Sequence, residues 1–294
     1  MSLKIAVIFN QERKDTTGKY FKQALEKMQH RVNHYWTKDA ENIDQDYDLY
    51  LRIDHGDYKY DLPPYLKPQV FFAIDTHLKK PFKKIVKQAR HYDLVFTAQK
   101  DGVRALRWRG IKAEWLPLAC DLEIHKKMEL PKTYDIAFVG TEGKKSLRGV
   151  LLKDLSRRYP NSFLGRAPFT DLGRIYSAAK IGFNYSIKND INMRIFEVMS
   201  CGTFLLTNRI KGNGFRELFE EGKNLIVYRN PKELFRLIDY YLNHNSQREQ
   251  IAKQGYQLVA SRHTYQKRTN EMLNCIKENL ADRYPRLKAL IEGS

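Results

Sequence analysis

The segment INMRIFEVMSCGTFLLTN (191–208) sets an arginine and a glutamate, Arg194 and Glu197, three residues apart in an otherwise apolar helical pattern. At that spacing both side chains lie on one helical face and can pair. Ile195, Phe196, Val198 and Met199 mark a helix buried between a sheet and its neighbours, where a charge needs a partner. The partner is either the other charge, in a plain intrahelical ion pair, or something bound. A polar loop with Asn189, Asp190 and Asn192 leads into this helix. Upstream, FVGTEGKKSLRG (138–149) is a strand ending at Gly140, a polar loop with a second glycine, and a helix start carrying Lys144, Lys145 and Arg148. Backbone N–H groups at a helix start, with basic side chains beside them, make an anion site suited to a diphosphate. A solvated basic loop is the plainer reading, because no glycine-rich dinucleotide or P-loop motif is present.

In the first half, AIDTH places Asp75 and His77 just past a strand end. A histidine there can donate a hydrogen bond to a substrate or act as a general base on a hydroxyl, or it can simply cap the loop. RIDHGD (52–57) offers Asp54, His55 and Asp57 in a similar place. DQDYD (44–48) contains two D-x-D triplets, but in a polar stretch before a strand it reads as a solvated turn, and no metal is assigned. Cys120, Cys201 and Cys275 lack metal-ligand or C-x-x-C spacing and read as buried free thiols.

Alternating elements must position these residues. Strand-like KIAVIFN, YDLYLRI, QVFFAID and LVFTAQ alternate with helical KYFKQALEKMQ and FKKIVKQAR, and the rhythm restarts at YDIAFVG (134–140). It continues through LRGVLLKDLSRR, SFLG, DLGRIYSAAK, IGFNYSI, the helix of Arg194, TFLLTN and LIVY. Short apolar runs separated by amphipathic segments predict parallel sheets covered by helices, an α/β chain of two doubly wound, Rossmann-like domains. The polar stretch HKKMELPKTYD (125–135) marks the boundary, giving domains 1–125 and 126–264. The helical segment 265–294, interrupted before Pro285, is expected to pack back on the first domain. In such tandem domains ligands lie at the C-terminal strand ends, facing the interdomain cleft.

The 294 residues, 42% hydrophobic and 12% aromatic, suit two folded domains. No apolar run approaches the roughly 20 residues that span a bilayer, and MSLKIAVIF has no basic n-region or cleavage site, so a cytoplasmic protein, free or peripheral to the inner membrane face, is expected. The formal net charge of +18 predicts attraction to polyanions. HLKKPFKKIVKQARH (77–91) is a basic amphipathic helix that can lie on an anionic membrane, track a phosphate backbone, or present a solvated basic face over a packed one. RALRWRG (104–110) adds Trp108 among Arg104, Arg107 and Arg109, a surface that can also contact bases.

NDINMRIFEVMSCGTFLLTN, followed by ELFEEGKNLIVYRNPKEL (217–234) and RHTYQKR (262–268), resembles the C-terminal half of the CgeB-like, spore-maturation glycosyltransferases, within the GT-B, nucleotide-sugar-dependent group 1 transferases. FFAIDTH (71–77) and EWLPLACD (114–121) resemble the matching N-terminal segments, so the likeness covers most of the chain. It implies transfer of a sugar from a nucleoside diphosphate, UDP- or dTDP-type, to an acceptor hydroxyl, with retention and with neither metal nor cofactor. Glu197 matches the second glutamate of the family's E-x7-E element, which accepts hydrogen bonds from the ribose hydroxyls. Asn189 stands where the first glutamate would, with Asp190 beside it, so the part that contacts the donor sugar departs from the family. The resemblance implies that Arg194 lies near the diphosphate or sugar and that Arg148, with Lys144 or Lys145, neutralises the leaving diphosphate. The net charge adds a polyanionic acceptor: a cell-surface glycan or polymer, a lipid-linked glycan, or modified DNA. Two alternatives stand beside this reading, a nucleotide-sugar epimerase of the same architecture and a basic nucleic-acid-binding protein on a degenerate transferase scaffold.

Overall fold

A computed structural model describes residues 2–11, 16–143 and 146–291. The chain divides into two compact units, Met1–Pro117 with Tyr265–Ser294, and Leu118–Thr264. Residues 118–125, placed by the sequence reading with the first domain, fall in the second unit.

The first unit runs β1 (Lys4–Ile8), α1 (Thr17–Lys27), β2 (Arg31–Tyr35), β3 (Leu49–Ile53), β4 (Gln69–Ala73), α2 (Lys79–Ala89), β5 (Leu94–Thr97), α3 (Lys100–Arg107) and β6 (Ala113–Trp115). All pairings are parallel, in the order β2-β1-β3-β4-β5-β6. β3 and β4 are buried along their whole length, as the continuous apolar runs predict. β2 and β6, both edge strands, lie outside the strands that the sequence predicts. β2, RVNHY, alternates exposed and half-buried residues and has no apolar run to betray it. One face of the sheet carries α2 and α3 through Ile85, Ala89 and Leu106. On α1, Tyr20 stacks on Tyr265 at 4.8 Å, and Phe21 meets Phe72 of β4 at 5.1 Å.

Tyr265 opens the last long helix of the chain, which is built into this unit. The second unit runs β7 (Tyr134–Val139), α4 (Leu147–Arg158), β8 (Phe163–Gly165), α5 (Leu172–Ser177), β9 (Ala179–Asn184), α6 (Met193–Ser200), β10 (Phe204–Asn208), α7 (Phe215–Leu218), β11 (Ile226–Tyr228), α8 (Pro231–Asn243) and α9 (Asn245–Arg262). The last helix is then α10 (Tyr265–Leu280), followed by a short 3-10 turn, Pro285–Ile291. The buried Arg268 ties α10 to the first unit, its Nε donating to the Pro117 carbonyl at 3.0 Å.

The sheet of the second unit is also parallel, ordered β11-β10-β9-β7-β8. Leu151, Leu152 and Leu155 of α4 and Leu234 and Ile238 of α8 cover one face of it. α6 lies close against β9 because residue 182 is glycine. A Cβ there would overlap Val198 Cγ1 and come within 3.1 Å of its Cγ2. In each unit the chain adds one strand on one side of its first strand and then reverses to the other side. In the second unit the reversal falls between β7 and β9, and loops leaving their C-terminal ends diverge to leave a crevice. Among the described residues no helix is long and apolar enough to cross a membrane.

Candidate functional site

Arg194, in the first turn of α6, reaches into this crevice. Its Nε donates to the Val139 carbonyl at the end of β7 (3.0 Å), and its Nη1 donates to Asn184 Oδ1 at the end of β9 (3.2 Å). The guanidinium carbon lies 4.3 Å from the centroid of the Phe138 ring. Asn184 is itself fully buried and fixed, its Nδ2 donating to Thr207 Oγ1 at 2.9 Å on β10. Gly140, with φ +149°, leaves room for the guanidinium, since a Cβ would overlap Nη2 and lie 3.4 Å from Cζ. Two hydrogen bonds and a ring therefore orient the group, while Nη2 has no hydrogen-bond partner among the described residues.

Arg148 converges on the same ring, with its guanidinium carbon 5.9 Å from the Phe138 centroid. It stands in the first turn of α4, whose N-cap Ser146 accepts from Gly149 N at 3.3 Å and donates to the Gly143 carbonyl at 2.7 Å. Burial, and secondarily the Arg194 charge, lower the Arg148 pKa. Neither guanidinium forms an ion pair among the described residues. Two half-buried like charges without a counter-ion repel, and a bound dianion would relieve the repulsion. Lys144 and Lys145, expected in this cluster, lie outside the described residues.

Glu197 does not pair with Arg194. It is buried and turns toward His125, with Oε1 3.6 Å from Nε2. His125 is wholly buried, and its Nδ1 accepts from the Asp121 amide at 3.1 Å, so that Nε2 is the ring nitrogen that faces Glu197. Asp121 holds the turn by accepting from the amides of Glu123 (2.9 Å) and Ile124 (3.2 Å). His125 was invisible as a site residue in the sequence, where it opens a charged linker. Asn184 and Phe138 were missed too, although an asparagine closing an apolar strand was a usable signal.

The loop between β9 and α6 is held by amides. Lys188 and Asn189 sit at φ +52° and +62°. The exposed Asn189 is occupied by this turn: its Oδ1 accepts from Lys211 N and its carbonyl from Asn213 Nδ2, both at 2.9 Å. The Asp190 carbonyl accepts from Ser186 Oγ. Asn192 is the N-cap of α6 without a side-chain cap bond, and its buried Oδ1 has no partner among the described residues. Arg194, Arg148, Gly140 and Asn192 thus cluster at the crevice, whereas Asn189 braces the loop.

In the first unit Asp54 and Asp75 follow the adjacent strands β3 and β4. Asp54 is buried and saturated: Oδ1 accepts from Gly56 N (2.9 Å), and Oδ2 from the Tyr58 hydroxyl (2.9 Å), Ile74 N (3.0 Å) and Asp75 N (3.3 Å). Among the described residues Asp75 carries no such set of donors. Burial, aided by the Asp54 charge, pushes its carboxyl up to about 6, where a general base for neutral conditions should titrate. His77 follows two residues later and is half-buried. Burial lowers the pKa of His55, whose Nδ1 lies 3.3 Å from the Ile53 carbonyl. The D-x-D aspartates are engaged locally, Asp46 with Lys4 Nζ and Asp48 with Lys4 N at 2.8 Å. Among the described residues no three His, Cys, Asp or Glu side chains converge as a metal site. Cys120 is buried, its thiol pushed up to about 12 by that burial, which leaves it unreactive.

A family profile described as glycosyl transferase-like matches residues 123–274. No curated protein sequence matches the chain significantly. Among solved structures, Anabaena HepE in complex with UDP and glucose superposes with a TM-score of 0.69 at 13% identity, over 94% of this chain and 100% of that one. Sucrose-phosphate synthase from Thermosynechococcus elongatus gives 0.67 at 11% identity over 95% and 100%. An alpha-glucosyltransferase in complex with UDP and a 13-mer DNA containing an HMU base gives 0.67 at 11% identity over 94% and 100%. At such identities the likeness establishes a shared GT-B fold.

Proposed function

The chain belongs to the glycosyl transferase-like family, whose profile spans just over half of it, and from that premise we propose that it transfers a sugar from a nucleoside diphosphate, UDP- or dTDP-type, to an acceptor hydroxyl. The observation that carries the reading is the pair of guanidiniums, Arg194 and Arg148, set over one Phe138 ring without a counter-ion among the described residues. Their anion is the donor diphosphate. As the bond from the anomeric carbon to the phosphate oxygen breaks, charge grows on the diphosphate, and cations already fixed in place stabilise it most in the transition state. Arg194 suits this role because the backbone of β7 and the buried Asn184 orient it before the donor arrives. Glu197, buried beside His125, accepts from the ribose hydroxyls, which a carboxylate can do twice at once.

Asp75 takes the proton of the acceptor hydroxyl, while His77 donates to the transferred sugar. Transfer proceeds with retention and needs no metal, as the family resemblance implies. Asn189, occupied by its loop, is withdrawn from direct sugar contact in this reading, and Asp190 and Asn192 remain as the polar groups before α6. The UDP held by the solved structures of HepE and the alpha-glucosyltransferase supports a UDP-type donor.

Calorimetric titration of UDP and UDP-sugars tests the assignment. Arg194→Ala removes charge-assisted hydrogen bonds worth about 1.5–3 kcal/mol and should weaken UDP binding by roughly 10- to 150-fold. Arg194→Lys should recover little of it, because an ammonium cannot reproduce the forked geometry. Unchanged UDP affinity in Arg194→Ala and Glu197→Ala would remove the donor site from this crevice.

A further inference from the structure

Lys79, Lys80, Lys83, Lys84, Lys87 and Arg90 follow one another along α2 and its C-cap, with no acidic residue between Asp75 and Asp93. All are exposed, and among the described residues none forms an ion pair. The pattern works against the helix that bears it. Lys79 with Lys83, Lys80 with Lys84, and Lys83 with Lys87 are like charges four apart, which destabilise a helix. Most of them crowd its N-terminal half, where the helix dipole disfavours cations. The first turn has no acidic residue, and the N-cap Leu78 supplies no side-chain bond. Packing accounts for the inner face, where Ile85 and Ala89 are buried beside Phe82 and Val86, but not for the outer one.

Aromatic groups flank the lysines on both sides. The Arg109 guanidinium carbon lies 5.2 Å from the Phe82 ring and 5.2 Å from the Trp108 ring, and Trp108 is 83% exposed. Arg104, one turn before Trp108, is also exposed. On the other flank Lys84 Nζ is 5.8 Å from the Tyr58 ring and Lys59 Nζ 4.9 Å from the exposed Tyr60 ring. Gln88 of α2 ties that loop down, its Nε2 donating to the carbonyls of Tyr58 and Tyr60, both at 3.2 Å.

We propose that this face of the first unit docks on an anionic phospholipid bilayer, with the α2 lysines and Arg104 against phosphate headgroups and the Trp108 indole at the boundary of headgroups and acyl chains. Charge complementarity selects the partner, since uncompensated cations over the outer face of a helix match a negatively charged leaflet. An indole with an apolar body and one N–H donor suits the interface. A nucleic acid fits less well. Stacking on single strands uses ring faces lined along a groove, whereas Trp108 stands exposed beside Arg109 and the lysines stand on an outward helix face. The proposal is independent of the donor site.

Sedimentation of the full chain with vesicles of phosphatidylcholine, with and without phosphatidylglycerol, tests it. The protein should follow the phosphatidylglycerol vesicles alone and be released by high salt. Replacing Lys80, Lys83 and Lys87 together by alanine should weaken binding about 100-fold, at roughly five-fold per basic residue. Trp108→Ala, at a site exposed enough to leave the fold and UDP affinity intact, should weaken it about ten-fold. Failure to sediment with anionic vesicles would overturn the proposal. So would equal binding to both compositions, binding by the variants as tight as the parent's, or tighter Trp108-dependent binding to DNA.

Discussion

Gly140→Ala isolates the geometry of the anion site from its charge. The added Cβ would overlap Arg194 Nη2 and lie 3.4 Å from Cζ, at a backbone φ of +149° that L side chains rarely adopt. The overlapped atom ends a flexible side chain, so the guanidinium moves before the backbone does. Moving it strains or breaks its bonds to Val139 O and Asn184 Oδ1, and Asn184 is buried. The backbone conformation costs about 1–3 kcal/mol and a lost bond about 1 kcal/mol. A drop in apparent Tm of a few degrees per kcal/mol should follow for a unit of this size. The informative loss is in affinity. A displaced guanidinium forfeits its charge-assisted phosphate contact, about 1.5–3 kcal/mol, or roughly 10- to 150-fold in the UDP Kd.

The decisive assay is a double-mutant cycle with Arg194→Ala, read by calorimetric titration of UDP. Once the guanidinium is gone, Gly140→Ala has nothing to displace and should leave UDP affinity within about two-fold, giving a coupling near the upper part of the usual range of 0.5–3 kcal/mol. If Gly140→Ala weakens UDP equally in both backgrounds, or in neither, the glycine does not serve Arg194 and the reasoning fails.

Asp75 gives a pH signature of opposite sign in activity and stability. Its carboxyl titrates at about 6 when folded, above its ordinary 3.8, so the folded chain holds this proton more tightly than the unfolded one. Its contribution to stability is therefore lost as pH rises from about 4 through 6, and Asp75→Asn should raise Tm at pH 7.5 but not near pH 4. In the same variant turnover should collapse, while parent turnover should fall as pH drops through about 6; a flat profile there would exclude Asp75 as the base. Gly182→Ala should overpack α6 against β9 by overlap with Val198 and cost about 1–3 kcal/mol in urea unfolding. Val198→Ala in the same chain should recover most of that loss, and no recovery would show that the strain lies elsewhere.

Much of the architecture was legible because buried parallel strands need continuous apolar runs. β3, β4, β5, β7 and β10 could be read to within about two residues at each end from their runs of apolar residues. The edge strands β2 and β6 escaped, since a strand covered on one side needs no such run. Glycines before the helix starts and the placement of Arg148 and Arg194 were also readable, because a cation at a strand-to-helix junction is a local pattern. The placing of Arg194 and Glu197 on one apolar helix was readable as a demand for partners. Which partners they took was not. Three residues of spacing permit an ion pair, yet the structure sends Arg194 to the ends of β7 and β9 and Glu197 to His125, 72 residues earlier in sequence. Contacts of that separation depend on strand order, and strand order follows from how two sheet faces are covered at once. Residue types and local spacing thus determined the chemistry on offer. Only the tertiary structure, by reversing the chain between β7 and β9, decided where that chemistry converges.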